Sequence, residues 1–173
     1  FSEHAEYALR AAAQIAKKIE AEIYLLHMLE LPSQMSDMVS KGSEGPEIIF
    51  AIKKAREQFE DIKSKPYLSG INVTEAVQFE KAFEGIITSS VKNNIDLIVM
   101  GSHGVSGFEE MFVGSNTEKV VRTSEIPVLV VKSDVDINAM KNLVFASDFS
   151  DEIESSFPKL LNFSEMMGLT VHM

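Results

Sequence analysis

The chain has 173 residues, 45% of them apolar and 24% charged, a composition of folded rather than disordered proteins. Lys and Arg number 16 and Asp and Glu 26, and a net charge of −10 argues against a duplex nucleic-acid surface, which needs clustered cations. The absence of Cys excludes disulfides and Cys-ligated metal sites, and no apolar run approaches the roughly 20 residues of a membrane span.

The opening Phe1-Ser2-Glu3-His4 is polar and acidic and does not read as a signal peptide, so a cytoplasmic protein is expected. Residues 3–20 place Ala5, Leu9, Ala12, Ala13, Ala16 and Ile19 in one stripe of an amphipathic helix, with Ser2 as its N-cap. The near-continuous apolar run from Ile23 to Leu29 predicts a strand buried on both faces. Residues 32–46, rich in Ser, Gly and Met, read as a long connection. A second helix is predicted over 47–65 and a break at Ser69-Gly70. A strand follows over 71–79, a third helix over 80–94 and a short strand over 95–100. A glycine-rich loop runs from Gly101 to Gly114, then a helix over 115–124 and a strand over 126–131, where Pro127 suggests a sheet edge. Strands alternating with helices predict a parallel sheet with helices on both faces, and ligands on such sheets sit at the carboxyl ends of the strands.

Residues 133–140 read as a linker. Asn142 to Asp148 forms another strand, and Phe149-Ser150-Asp151-Glu152 echoes Phe1-Ser2-Glu3-His4 at an offset of 148. Val171-His172-Met173 echoes Leu26-His27-Met28 at an offset of 145. A period that long indicates domain duplication. Residue 149 follows a strand, so residue 1 is expected to follow one too. The expected organisation is then a first domain over 1–132 lacking its first strand, a linker over 133–140 and the start of a second repeat over 141–173. The rival is that residues 143–147 supply the missing strand, which would put Val144 between the strands at 23–28 and 95–100.

The informative constellation is Met100-Gly101-Ser102-His103-Gly104, nine residues, then Gly114-Ser115. Gly101 and Gly104 leave a strand end without Cβ bulk, so a phosphate or ribose can reach the backbone. Gly114-Ser115 opens a helix whose first amides are unpaired and, with the helix dipole, form an anion site to which Ser115, Asn116 and Thr117 add short donors. It is neither the GxxxxGK[ST] phosphate loop nor the GxGxxG dinucleotide motif. The bland alternative is a capping box in which Ser115 is the cap and Glu118 reaches back. His27 and His172 lie at apolar strand ends and read as core or ring-stacking residues, His4 as a residue on a solvated face, and the methionines as gap fillers. No catalytic triad, HExxH or carboxylate pair is visible, so no catalytic residue is assigned.

The pattern Gly101-x2-Gly104-x9-Gly114-Ser115, between Ile95-Asp96-Leu97-Ile98-Val99-Met100 and Ile126-Pro127-Val128-Leu129-Val130-Val131, resembles the universal stress protein family, in its ATP-binding branch. The resemblance implies an α/β fold with an open five-stranded parallel sheet in order 3-2-1-4-5. It implies ATP over the carboxyl ends of strands 1 and 4, with Mg²⁺ or Mn²⁺ held through the phosphates. Adenine would meet the backbone near Met28. Met100, Gly101, His103 and Gly104 would line the ribose and phosphate side, and Gly114, Ser115, Asn116 and Thr117 would hold phosphates. The family's acidic residue at the end of strand 1 has its match in the second repeat at Asp148, beside Ser147. Three functions follow in order: a nucleotide-binding stress-response module, a slow ATP hydrolase of related fold, and a structural tandem domain. Residues 101–118 hold no Lys or Arg, which favours binding over catalysis. Pairing through the strand at 126–131, with the second repeat or another chain, is expected to cover that edge.

Overall fold

The computed structural model describes residues 1–29, 45–79, 81–102, 114–148 and 153–173. The elements run α1 (Glu3–Ile19), β1 (Ile23–Met28), α2 (Pro46–Lys63), β2 (Val73–Gln78), α3 (Ala82–Lys92), β3 (Ile98–Gly101), α4 (Ser115–Thr123), β4 (Val128–Val131), β5 (Asn142–Val144), α5 (Ile153–Met167) and β6 (Thr170–His172). Short 3₁₀ turns occupy Pro66–Leu68 and Ile137–Ala139. The expected alternation of helix and strand is present. The predicted connection over 32–46 falls outside the described residues up to residue 44.

The ends of α1 follow from local chemistry. Ser2 Oγ accepts a hydrogen bond from the Ala5 N–H at 3.2 Å, satisfying one unpaired amide of the first turn. The helix stops at Glu20, which takes a left-handed conformation at φ 55° while its N–H bonds Ala16 O. Gly70 turns the chain into β2 at φ 83°, where a Cβ would be strained.

Among the described residues three parallel two-stranded ladders form. β1 pairs with β2 from Ile23↔Val73 to Met28↔Gln78, and β3 with β4 from Ile98↔Val128 to Gly101↔Val131. Counted after the strand expected to precede residue 1, β1 and β2 are strands 2 and 3 and β3 and β4 strands 4 and 5, which are neighbours in the expected order 3-2-1-4-5. β5 pairs with β6 from Asn142↔Thr170 to Val144↔His172. Val144 is 72% exposed and lies in this third ladder, not between β1 and β3.

α1 fills the space between the first two ladders, and it is buried on two sides. Ala8, Ala11 and Ile15 pack with Val131, Ile137 and Met167, joined by Val99 and Leu129. Leu9, Ala13 and Ala16 pack with Ile23 and Leu68, joined by Leu25 and Val73. The sequence stripe captured the second face and missed Ala8, Ala11 and Ile15. Small alanines allow a helix to enter such a cleft closely.

The segment expected to be a linker is docked. Ile137 is only 5% exposed and belongs to the core. Gln14 Oε1 accepts from the Ile137 N–H at 2.8 Å, and Gln14 Nε2 donates to Val135 O at 3.1 Å. Arg10 reaches Asp134 at 3.0 Å. Met167 of α5, 1% exposed, closes the same core, and Lys18 Nζ donates to its carbonyl at 2.6 Å. Among the described residues no helix is long and apolar enough to cross a membrane.

Candidate functional site

The carboxyl end of β3 and the start of α4 are stitched together. Ser102 N–H donates to Val131 O at 3.0 Å, extending the β3–β4 ladder by one residue. Gly114 N–H donates to Ser102 O at 2.7 Å, and Thr117 Oγ1 donates to Gly101 O at 3.0 Å. Gly101, Ser102, Gly114 and Thr117 are thus brought together. Ser102 is buried, a contribution the sequence reading passed over although it lies inside the motif. His103 and Gly104 lie outside the described residues.

The capping-box alternative is not what forms. Gly114 is the N-cap of α4 and no side chain caps the helix. Ser115 is its first helical residue, and Glu118 binds Arg122 Nε at 3.1 Å instead of reaching back. The Glu118 N–H donates to Gly114 O at 2.9 Å, which closes the first turn and leaves the earlier amides at the helix mouth without a side-chain cap. Gly114 stands at φ −57° and ψ 145°, a conformation open to any residue. What glycine contributes there is the absence of a side chain rather than backbone freedom. Ser115 and Asn116 are exposed beside this mouth, while Thr117 turns inward. The nearest following cation, Lys119, sits 5.7 Å over the Phe83 ring. An anion here would depend on amides and the helix dipole.

Gly101 has a second neighbour that the sequence could not reveal. A Cβ built on it would lie 2.7 Å from the His4 carbonyl carbon and oxygen. Backbone of α1 therefore makes the close approach at this strand end. His4 is half-buried, with its ring 5.9 Å from Tyr7, so the expectation of a solvated face is corrected.

Met28 ends β1 half-buried, opposite Gln78, and Met100 is half-buried opposite Val130. His27 stacks on Phe1 at 4.2 Å and meets Phe59 edge-on at 6.3 Å, the ring-stacking role expected of it. Burial pushes its pKa down from the ordinary 6.5. His172 is exposed and its Nε2 lies 2.8 Å from Asn142 Oδ1, so it is no core residue. Ser147 is half-buried and Asp148 exposed, both just beyond β5 and so on a different ladder from Gly101. Among the described residues no group of three His, Asp or Glu could hold a metal ion.

Residues 1–132 match the family model described as the universal stress protein family. The chain is 32% identical over 134 residues to universal stress protein MJ0531 of Methanocaldococcus jannaschii, covering 72% of this chain and 73% of that one. The structure is similar to a universal stress protein from Archaeoglobus fulgidus DSM 4304 at a TM-score of 0.71 and 25% identity, over 99% of this chain and 61% of the other. It also shares its fold with a universal stress protein from Archaeoglobus fulgidus solved in complex with dAMP, at a TM-score of 0.55 and 22% identity, over 76% of this chain and 90% of the other.

Proposed function

Because the chain belongs to the universal stress protein family, we propose that it is an adenine-nucleotide-binding regulatory module, with ATP as the nucleotide and its phosphates at the start of α4. The observation that carries this reading is the uncapped helix mouth at Gly114-Ser115-Asn116-Thr117, held against the end of β3 by Gly114 and Thr117. Gly101, His103 and Gly104 take the ribose and phosphate side beside Met100, and Met28 the adenine side. Ser147 and Asp148 are the corresponding residues of a second repeat. Mg²⁺ or Mn²⁺ would be held chiefly by the phosphates, since the described residues offer no ligand cluster of their own. The dAMP complex belongs to the Archaeoglobus fulgidus protein, and at 22% identity that likeness carries fold alone. The nucleotide reading therefore rests on this chain's own residues.

One observation favours a structural, non-binding reading: the His4 backbone already lies against Gly101. Calorimetric titration with MgATP separates the two. Saturable binding in the parent chain, abolished in Gly114→Val with the fold retained, is the expected result. Valine is compatible with the backbone at Gly114, so the variant tests side-chain obstruction. Equal affinity in the variant would overturn the phosphate site. Pairing through residues 126–131 with another chain or repeat is part of the same proposal.

A further inference from the structure

α3 carries two adjacent serines with different fates. Ser90 Oγ donates to Ile86 O, four residues back, at 2.7 Å, as a helical serine commonly does. Ser89 is 2% exposed, and its Oγ has no hydrogen-bond partner among the described residues. Its carbonyl is in use, accepting from Asn93 Nδ2 at 2.8 Å, so the hydroxyl alone is left over. Buried hydroxyls without partners are uncommon and call for a cause.

Ser89 lines a depression of about 320 Å³ between the end of β2 and α3, together with Val77, Gln78, Phe79, Thr88 and Lys92. The size suits a small molecule. Its chemistry has two halves. Val77 and Phe79 are apolar. Thr88 and Ser89 offer hydroxyls, Gln78 an amide and Lys92 an ammonium, and none of the six residues is acidic. No described carboxylate lies within ion-pair distance of Lys92. In a chain of net charge −10, such a patch selects an anion with an apolar body.

We propose that this depression binds a small amphipathic carboxylate, its apolar body on Val77 and Phe79 and its carboxylate on Lys92 and the Ser89 hydroxyl. A turn about χ1, the one heavy-atom torsion of serine, presents that hydroxyl to the occupant. The site is separate from the α4 mouth, and the proposal stands whether or not nucleotide binds there.

Amide chemical shifts of the full chain, titrated with sodium benzoate, test it. Saturable shifts are expected at Gln78, Phe79, Ser89 and Lys92. Benzamide, which lacks the charge, should bind about tenfold more weakly, and Lys92→Gln should cost benzoate a similar factor. Ser89→Ala should also weaken benzoate, by about threefold or more. Absence of shifts, equal binding of benzamide, either variant binding as tightly as the parent, or inorganic phosphate producing the same shifts would each overturn the proposal.

Discussion

His27 shows how one side chain ties packing to pH. Its ring packs against both Phe1 and Phe59, and burial holds its pKa below 6.5. In the unfolded chain it titrates near the ordinary value. The unfolded state therefore binds a proton more readily, and acidification favours unfolding. The contribution is intact above about pH 6.5 and is lost as pH falls towards the folded-state value. Replacing the ring with a non-titrating one keeps the stacking and removes the slope. His27→Phe is expected to flatten the fall in urea-denaturation midpoint below pH 6.5. An unchanged slope would assign the acid sensitivity to other groups. Strand-end position was enough to read the stacking role of His27 from sequence. The same logic failed for His172, which is exposed at the end of its short ladder.

At the scale of elements, α1 and β3 meet at Gly101, where His4 backbone leaves no room for a Cβ. Backbone cannot rotate aside as a side chain can. Gly101→Ala should force α1 from β3 and cost about 1–3 kcal/mol in urea denaturation, as overpacking does. A wild-type midpoint would show that the two elements part easily. Chain order, helix starts and strand identities were legible because Ser2, Gly70 and the apolar runs act locally. The two-sided burial of α1 was not. Ala8 and Ala11 carry too little hydrophobic signal to mark a face, and only the tertiary cleft makes one. The docking of residues 133–140 was hidden for the reverse reason: polar Asp134, Asp136 and Asn138 surround Ile137, the residue of that segment that is buried. Spacing singled out Gly101, Gly114 and Thr117, which the fold brings together, while the approach of His4 depends on packing across nearly a hundred residues.

For the whole molecule, α1 joins the parts into one object. It contacts the β1–β2 ladder through Leu9 and Ala13, the β3–β4 ladder through Ala8 and Ala11, and α5 through Met167. β4 makes its ladder with β3, and the pairing proposed through residues 126–131 would cover the strand's other side. Where the partner is another chain, sedimentation equilibrium should give a mass twice that of the chain, and a monomer at all concentrations would contradict pairing between chains.

The central claim is that the first amides of α4 hold the phosphates of an adenine nucleotide. Amide chemical shifts of Ser115, Asn116 and Thr117, followed as MgATP is added to the folded chain, test it most directly. The account predicts that these three amides move together and saturate with the same affinity found by calorimetry. Amides at this helix mouth that stay fixed while nucleotide binds elsewhere, or does not bind, would contradict it.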